Sequence, residues 1–171
     1  MIGPFLLALW GQAGKPVHPE HKAPATLAED TRPVSAHEAA TAFERVASLL
    51  KSTGGMSYGE TAIPHLDRPV TRNEVVAEMN RLYIIATPAL RFTPVPVRHD
   101  TSVFRIDASL RPALDRLVTF GYVARIGPLV VGPSPSLLPK ELGDAIGVFM
   151  ARVAQTTHTP NPKWTPILKS D

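Results

Sequence analysis

Apolar residues recur at a spacing of three to four over four separate stretches of this chain, the spacing that collects them on one face of an α-helix. In the first stretch Ala39, Phe43, Val46, Ala47 and Leu50 form the stripe. Ser35, with Glu38 three residues on, makes a capping box in front of it, and Gly54-Gly55 stop it. In the second, Thr71 and Glu74 make another capping box behind Pro69, and Val75, Val76, Met79, Leu82 and Tyr83 carry the stripe to about Ala86. The third runs from Leu110 to about Phe120, with Ala113, Leu114, Leu117 and Val118 on one face and Gly121 at its end. The fourth opens at Pro139, where a missing N–H costs nothing, and is lined by Leu142, Ile146, Phe149, Met150 and Val153. Between them, Met56 to Arg68 reads as a loop with one aromatic, Tyr58, and a turn at Pro64. Pro88, Pro94 and Pro96 hold the next connection extended, with Leu90 and Phe92 as its anchors. Tyr122 to Arg125 and Leu129-Val130-Val131 read as short extended, β-prone pieces, followed by the turn-rich run from Gly132 to Ser136.

The four helices fall into two similar helix–loop–helix units. Ala42 to Leu49 matches Ala113 to Phe120 at an offset of 71 residues, and Glu74 matches Glu141 at an offset of 67. A hairpin of this size cannot bury its apolar face alone, so the units must stack on each other or on a partner, a second copy of the chain included. The competing reading is chance similarity between amphipathic helices. The expected fold is mainly α: repeated helix–loop–helix units at about 34–87 and 90–155 within one module at 34–155, with short extended connectors and disordered termini.

Composition narrows the function. The chain has 171 residues, enough for one domain, and its 18 prolines collect outside the helical stretches. Net charge is only +3, with Lys and Arg interspersed among Asp and Glu, so the clustered basic face of a nucleic-acid surface is missing. The absence of cysteine excludes disulfide staples, thiolate metal sites, a cysteine nucleophile and a lipoprotein anchor. Met1 to Ala13 is an apolar run ending in Gly11-x-Ala13, which suits a signal peptidase and predicts cleavage after Ala13, although a basic n-region is missing and Gly3-Pro4 interrupts the run. The run is too short to span a membrane. Residues 14–33 read as a Pro-rich linker and 156–171 as a polar tail with Trp164 and Ile167-Leu168 as late anchors. The expected location is secreted or cell envelope.

No catalytic signature emerges. His18 and His21 have an H-x-x-H spacing, but Pro19 spoils helical presentation. Glu44 and Asp115 sit beside Arg45 and Arg116 and read as solvated charges. There is no G-x-S-x-G elbow and no Gly-rich phosphate loop ahead of a helix. No enzyme activity, metal or cofactor is expected.

Several segments together resemble the S-layer homology domain, a cell-envelope anchoring module. Phe92-Thr93-Pro94-Val95-Pro96 is similar to that family's F-x-D-V-P lead-in. Leu110 to Val123, ending Phe120-Gly121-Tyr122-Val123, is similar to its first helix, Gly127 to Gly132 to its loop, and Pro139 to Ala154 to its closing helix. Val70-Thr71-Arg72-Asn73-Glu74 resembles the T-R-A-E helix start. Pro94 replaces the aspartate of the lead-in, and the Thr-Arg pair becomes Leu138-Pro139 in one helix start and Ser35-Ala36 in another. The resemblance implies a non-catalytic module of units that commonly assemble in threes, whose T-R-A-E arginine helps bind an anionic cell-wall polysaccharide. It nominates Arg72, with Thr71 and Glu74, as ligand-binding residues. A helix N-terminus offers unpaired N–H groups and a positive dipole end, to which a guanidinium adds. The plainer reading is that Thr71 and Glu74 cap the helix while Arg72 is solvated.

Two alternatives come from other classes. Leu114 to Arg125, followed by Leu129-Val130-Val131 and a last helix, is also similar to a winged-helix DNA-binding domain, with the two β-prone pieces as its wing. Against it, the recognition face offers only Arg111 and Arg116, and the wing is nearly uncharged. The other alternative is a small helical module that binds an envelope protein through apolar loops around Tyr58 or Leu129-Val130-Val131.

Overall fold

The computed structural model describes residues 31–157. The expected signal peptide, most of the linker, His18-x-x-His21 and the anchors Trp164 and Ile167-Leu168 lie outside the described residues. The chain is mainly helical, with α1 (Ala36–Gly54), α2 (Arg72–Ala86), α3 (Arg111–Thr119), α4 (Pro128–Val131) and α5 (Pro139–Thr157).

The first two helices begin as their sequences dictate. Ser35 is extended, its hydroxyl accepts the Glu38 N–H, and the Glu38 carboxylate accepts the Ser35 N–H at 2.8 Å. Thr71 and Glu74 repeat this box at α2, with the Thr71 N–H donating to Glu74 at 2.9 Å. α3 ends in a Schellman motif: Gly121 turns left-handed at φ 74, its N–H reaches the Val118 carbonyl, and the Tyr122 N–H reaches that of Leu117 at 2.8 Å. α5 starts at Pro139, and the Leu138 N–H donates to Glu141 at 2.8 Å, which is half of a capping box.

Two expectations about the connectors change. Leu129-Val130-Val131 is no strand but the single turn α4, closed by Val131 N–H to Gly127 carbonyl at 2.9 Å. A short apolar run has no periodicity to separate the two states, and among the described residues no strand lies beside it to pair with, so burial of Leu129 and Val130 decides. Tyr122 to Arg125 is a turn, not an extended piece. Among the described residues the only β pairing is two isolated bridges, so the winged-helix alternative loses its wing. The tail also begins later than expected: α5 runs on to Thr157, and Thr156 is fully buried with its hydroxyl 3.2 Å from that of Tyr122.

One apolar cluster unites all five helices. α2 lies at its centre, packed against α1 and α3, while α1 also packs on α5. Phe43, Val46, Met79, Leu82, Leu114, Leu117 and Phe149 are buried as their stripes predict, and Ile146 is half-buried. α3 reaches α5 at its far end, where the Tyr122 and Phe149 rings lie 5.8 Å apart and the Arg152 Nε donates to the Phe120 carbonyl at 2.8 Å. In the long connector Phe92 is half exposed, and Phe104, 3% exposed, is the residue that anchors the segment.

The starts of α1, α2 and α5 meet at one end. The Val70 N–H donates to the Val34 carbonyl and the Val34 N–H to that of Leu137, both at 2.8 Å. Ala36 donates to Arg68 at 2.7 Å and Arg72 to Pro135 at 2.8 Å. Ser35 and Thr71 are extended to cap their helices, and extended residues expose backbone donors and acceptors. Here the three lead-ins satisfy one another, through antiparallel bridges Ser35–Pro69 and Thr71–Ser136.

Candidate functional site

Beside this junction lies a hollow of about 460 Å³ lined by Thr71, Arg72 and Asn73 of α2, the segment Phe104 to Asp107, Arg111 at the start of α3, and Pro135. Two chemistries meet there: the N-terminus of α2 and three arginines. They do not play equal parts.

Arg72 is neither solvated nor free to meet a ligand. It is 4% exposed, and its guanidinium donates to three backbone carbonyls: Nη1 to Arg105 at 2.7 Å, Nη2 to Gly132 at 2.7 Å, and Nη2 also to Ser134. Its Nε is buried without a hydrogen-bond partner. Burial pulls its pKa below the ordinary arginine value, the neighbouring Arg105 charge adds to this, and Glu141 opposes it; the group stays charged at any pH at which the protein folds. Arg72 is therefore a staple joining the start of α2 to two irregular segments, and the expectation that it contacts a ligand directly is corrected on that ground. Gly132 is part of the device: a Cβ there would lie 2.5 Å from the Pro128 carbonyl and 2.9 Å from Arg72 Nη2, so only glycine fits.

Thr71 and Glu74 are capping residues. Glu74 accepts the Thr71 N–H and hydroxyl and forms an ion pair with Arg68. The Arg68 guanidinium, aided by the Thr71 donors and opposed by burial, holds the Glu74 carboxyl down at about 2. The amides at this helix start are also engaged, Arg72 N–H with Pro135 and Glu74 N–H with Thr71 Oγ1. The cationic side chains still able to meet an anion at the hollow are those of Arg105 and Arg111, both exposed. Sequence reasoning missed Arg105 because no motif surrounds it; Phe104, the buried anchor beside it, is the one signal that could have drawn notice.

The other expected contact surfaces are partly covered. Leu129 and Val130 are 1% exposed, while Val131 is 39% exposed. Tyr58 is half-buried and donates its hydroxyl to Glu78, a fully buried carboxylate that also accepts the Ala62 N–H at 3.2 Å and Arg81 Nε at 3.1 Å. Burial pushes the Glu78 carboxyl up, but Arg81, Tyr58 and Ala62 outweigh it and hold it below the usual range. The Arg81 guanidinium also stacks on the Tyr58 ring, 4.4 Å from its centroid. Glu44 and Asp115 are half exposed, as expected of solvated charges, and each also lies against a histidine: His65 Nε2 at 2.9 Å and His99 Nε2 at 2.8 Å. A second, smaller hollow of about 250 Å³ lies by Tyr83, Thr87 and the segment from Leu90 to Pro94.

No helix among the described residues is long and apolar enough to cross a membrane. Comparison with family models, with curated proteins and with solved structures found no match. What the fold and the site define is a mainly helical module built around one central helix.

Proposed function

We propose that this is a non-catalytic, S-layer-homology-like module of the cell envelope that holds an acidic wall or surface polymer in the hollow at the start of α2. Arg105 and Arg111 make the ionic contacts, and Arg72 braces the wall behind them. The observation that carries the reading is the meeting of two exposed arginines with a helix N-terminus around one hollow. Asp107 and Asn73 on the same rim suit the hydroxyl groups of a sugar. An export signal over Met1–Ala13 is part of the proposal.

The test is a pull-down of purified cell envelope by wild type and by Arg105→Ala/Arg111→Ala. Both residues are exposed, so the double variant should fold with near-wild-type stability. Two ionic contacts worth about 1 kcal/mol each amount to roughly a tenfold or greater loss of binding. Added salt should weaken the wild type in the same direction. Salt-insensitive binding that the double variant retains would move the function to an apolar protein interface, and no envelope binding by either form would end the proposal.

A further inference from the structure

We propose that His37 and His65 form a surface site for a divalent transition metal that prefers imidazole, such as zinc, with Glu44 as the carboxylate that orients His65. This site lies on the α1 face, uses none of the residues of the hollow, and stands independently of the polymer reading.

The two histidines are 28 residues apart, and the fold fixes their relation. His37 is the second residue of α1, and its N–H donates to the Leu66 carbonyl at 3.0 Å, so the chain on either side of the pair is tied together by backbone. Their Nδ1 atoms converge to 3.2 Å, and the ring centroids lie 5.1 Å apart at an interplanar angle of 64°. Two imidazoles on one tetrahedral ion, with metal–nitrogen bonds of ~2.0–2.1 Å, put their nitrogens about 3.3 Å apart and their centroids about 5 Å apart. A straight N–H···N hydrogen bond of the same length would hold the centroids at about 5.5 Å. The rings are therefore already at the separation that a shared ion requires.

The protonation pattern agrees. Glu44 Oε1 lies 2.9 Å from His65 Nε2, and a carboxylate only accepts, so the proton of neutral His65 sits on Nε2 and the Nδ1 lone pair faces His37. A ligating histidine that gives its other N–H to a carboxylate is the recurrent support of protein metal sites, fixing the tautomer and raising ligand basicity. His37 completes the pair by carrying its proton on Nε2, and no net proton is lost. Among the described residues no group of three or more ligating side chains converges, so water fills the remaining positions, and the 45% exposure of the His65 side chain leaves room for it. A site with two protein ligands suits zinc, copper or nickel and gives no purchase to magnesium or calcium, which take oxygen ligands.

The experiment is calorimetric titration of the full chain with zinc chloride, with the melting temperature followed in parallel. One equivalent should bind and raise the melting temperature, because the ion binds the folded chain across α1 and the loop after it. His37→Ala and His65→Ala should each weaken binding tenfold or more. Glu44→Gln should weaken it by about tenfold, as loss of an orienting carboxylate does. Substituting His18 and His21 should change nothing, and magnesium should not bind. All three variants alter exposed side chains, and circular dichroism checks that they fold. Imidazole nitrogen chemical shifts give a readout free of stability effects: zinc should move the Nδ1 signals of His37 and His65. Zinc affinity unchanged in both histidine variants, or zinc-induced shifts at other histidines only, would overturn the proposal, as would the absence of binding.

Discussion

Replacing Arg72 separates a staple from a ligand contact. In the folded chain its guanidinium makes three hydrogen bonds to the carbonyls of Arg105, Gly132 and Ser134, and among the described residues no carboxylate forms an ion pair with it. A hydrogen bond to a charged group contributes roughly 1.5–3 kcal/mol net, which sets an upper bound well above 4 kcal/mol for the set. The three are not additive, because one side chain carries them all, and the adjacent hollow lets water reach the abandoned carbonyls. Arg72→Ala should therefore cost about 3–5 kcal/mol, a large part of the ~5–15 kcal/mol that holds such a domain together. The melting temperature should fall by roughly 10–15 °C. Arg72→Lys should recover only part of this, since one ammonium cannot serve carbonyls that approach from two segments. Urea unfolding followed by circular dichroism measures the loss, and amide exchange should locate it at Arg105 and residues 132–134. If Arg72→Ala unfolds within about 0.5 kcal/mol of wild type, the staple does not exist in solution and the residue returns to the list of ligand contacts.

Gly132→Ala should destabilise by about 1–3 kcal/mol in the same assay, because its Cβ would lie 2.5 Å from the Pro128 carbonyl and would push Arg72 aside. Phe149→Ala should cost about 3–5 kcal/mol, as for any fully buried aromatic; a loss well under 1 kcal/mol would show that α5 is not core. The two capping boxes contribute to the acid limb of stability. Arg68 holds Glu74, and Arg32 holds Glu38, at about 2 against an ordinary 4.5, so the folded values lie below the unfolded ones. Their contribution is complete above pH 4.5 and is lost as pH falls towards 2, and Glu74→Gln should flatten the stability profile in that window. Glu38 is exposed and its share is small and shrinks with salt, whereas Glu74, whose side chain is 24% exposed, is screened less.

The helices were legible where two independent signals coincided. At α1 and α2 a capping box precedes a 3–4 stripe, and at α3 a stripe runs into a glycine that the structure finds left-handed. Each signal has a local cause, so no knowledge of the rest of the fold is needed to read it. Leu129-Val130-Val131 had only one signal, apolarity, which a helical turn and a strand share. Phe104 had only its aromaticity, and one aromatic in a polar, proline-bounded segment looks the same whether it anchors the segment or lies on the surface. The arrangement of the helices was less legible than the helices themselves. Pairing by likeness joined α3 to α5, whereas α3 packs chiefly on α2, because burial rewards any complementary face and not the most similar partner. The His37–His65 pair was invisible for the same reason, its members being brought together by a loop that turns back onto α1.

The site was misread in a more instructive way. Both readings of Arg72 assumed that a charged residue on this helix faces outward, and α2 breaks that assumption twice. Arg72 and Glu78 are both buried in its flanks, and each draws an irregular segment onto the central helix: Arg72 the stretches at 105 and 132–134, Glu78 the loop through Tyr58 and Ala62. Irregular segments carry backbone donors and acceptors that no ladder satisfies, so the core helix that holds them needs groups able to answer carbonyls in one place and N–H and O–H donors in another. A guanidinium does the first and a carboxylate the second, and here each type of charge sits where its own chemistry is needed. The acceptors of Arg72 are main-chain carbonyls 33, 60 and 62 residues away, and main-chain atoms leave no mark in a sequence. Once its donors are committed to them, an anion at the start of α2 has to be met by side chains that retain exposed donors. That requirement, more than any motif, moves the ionic contacts to Arg105 and Arg111.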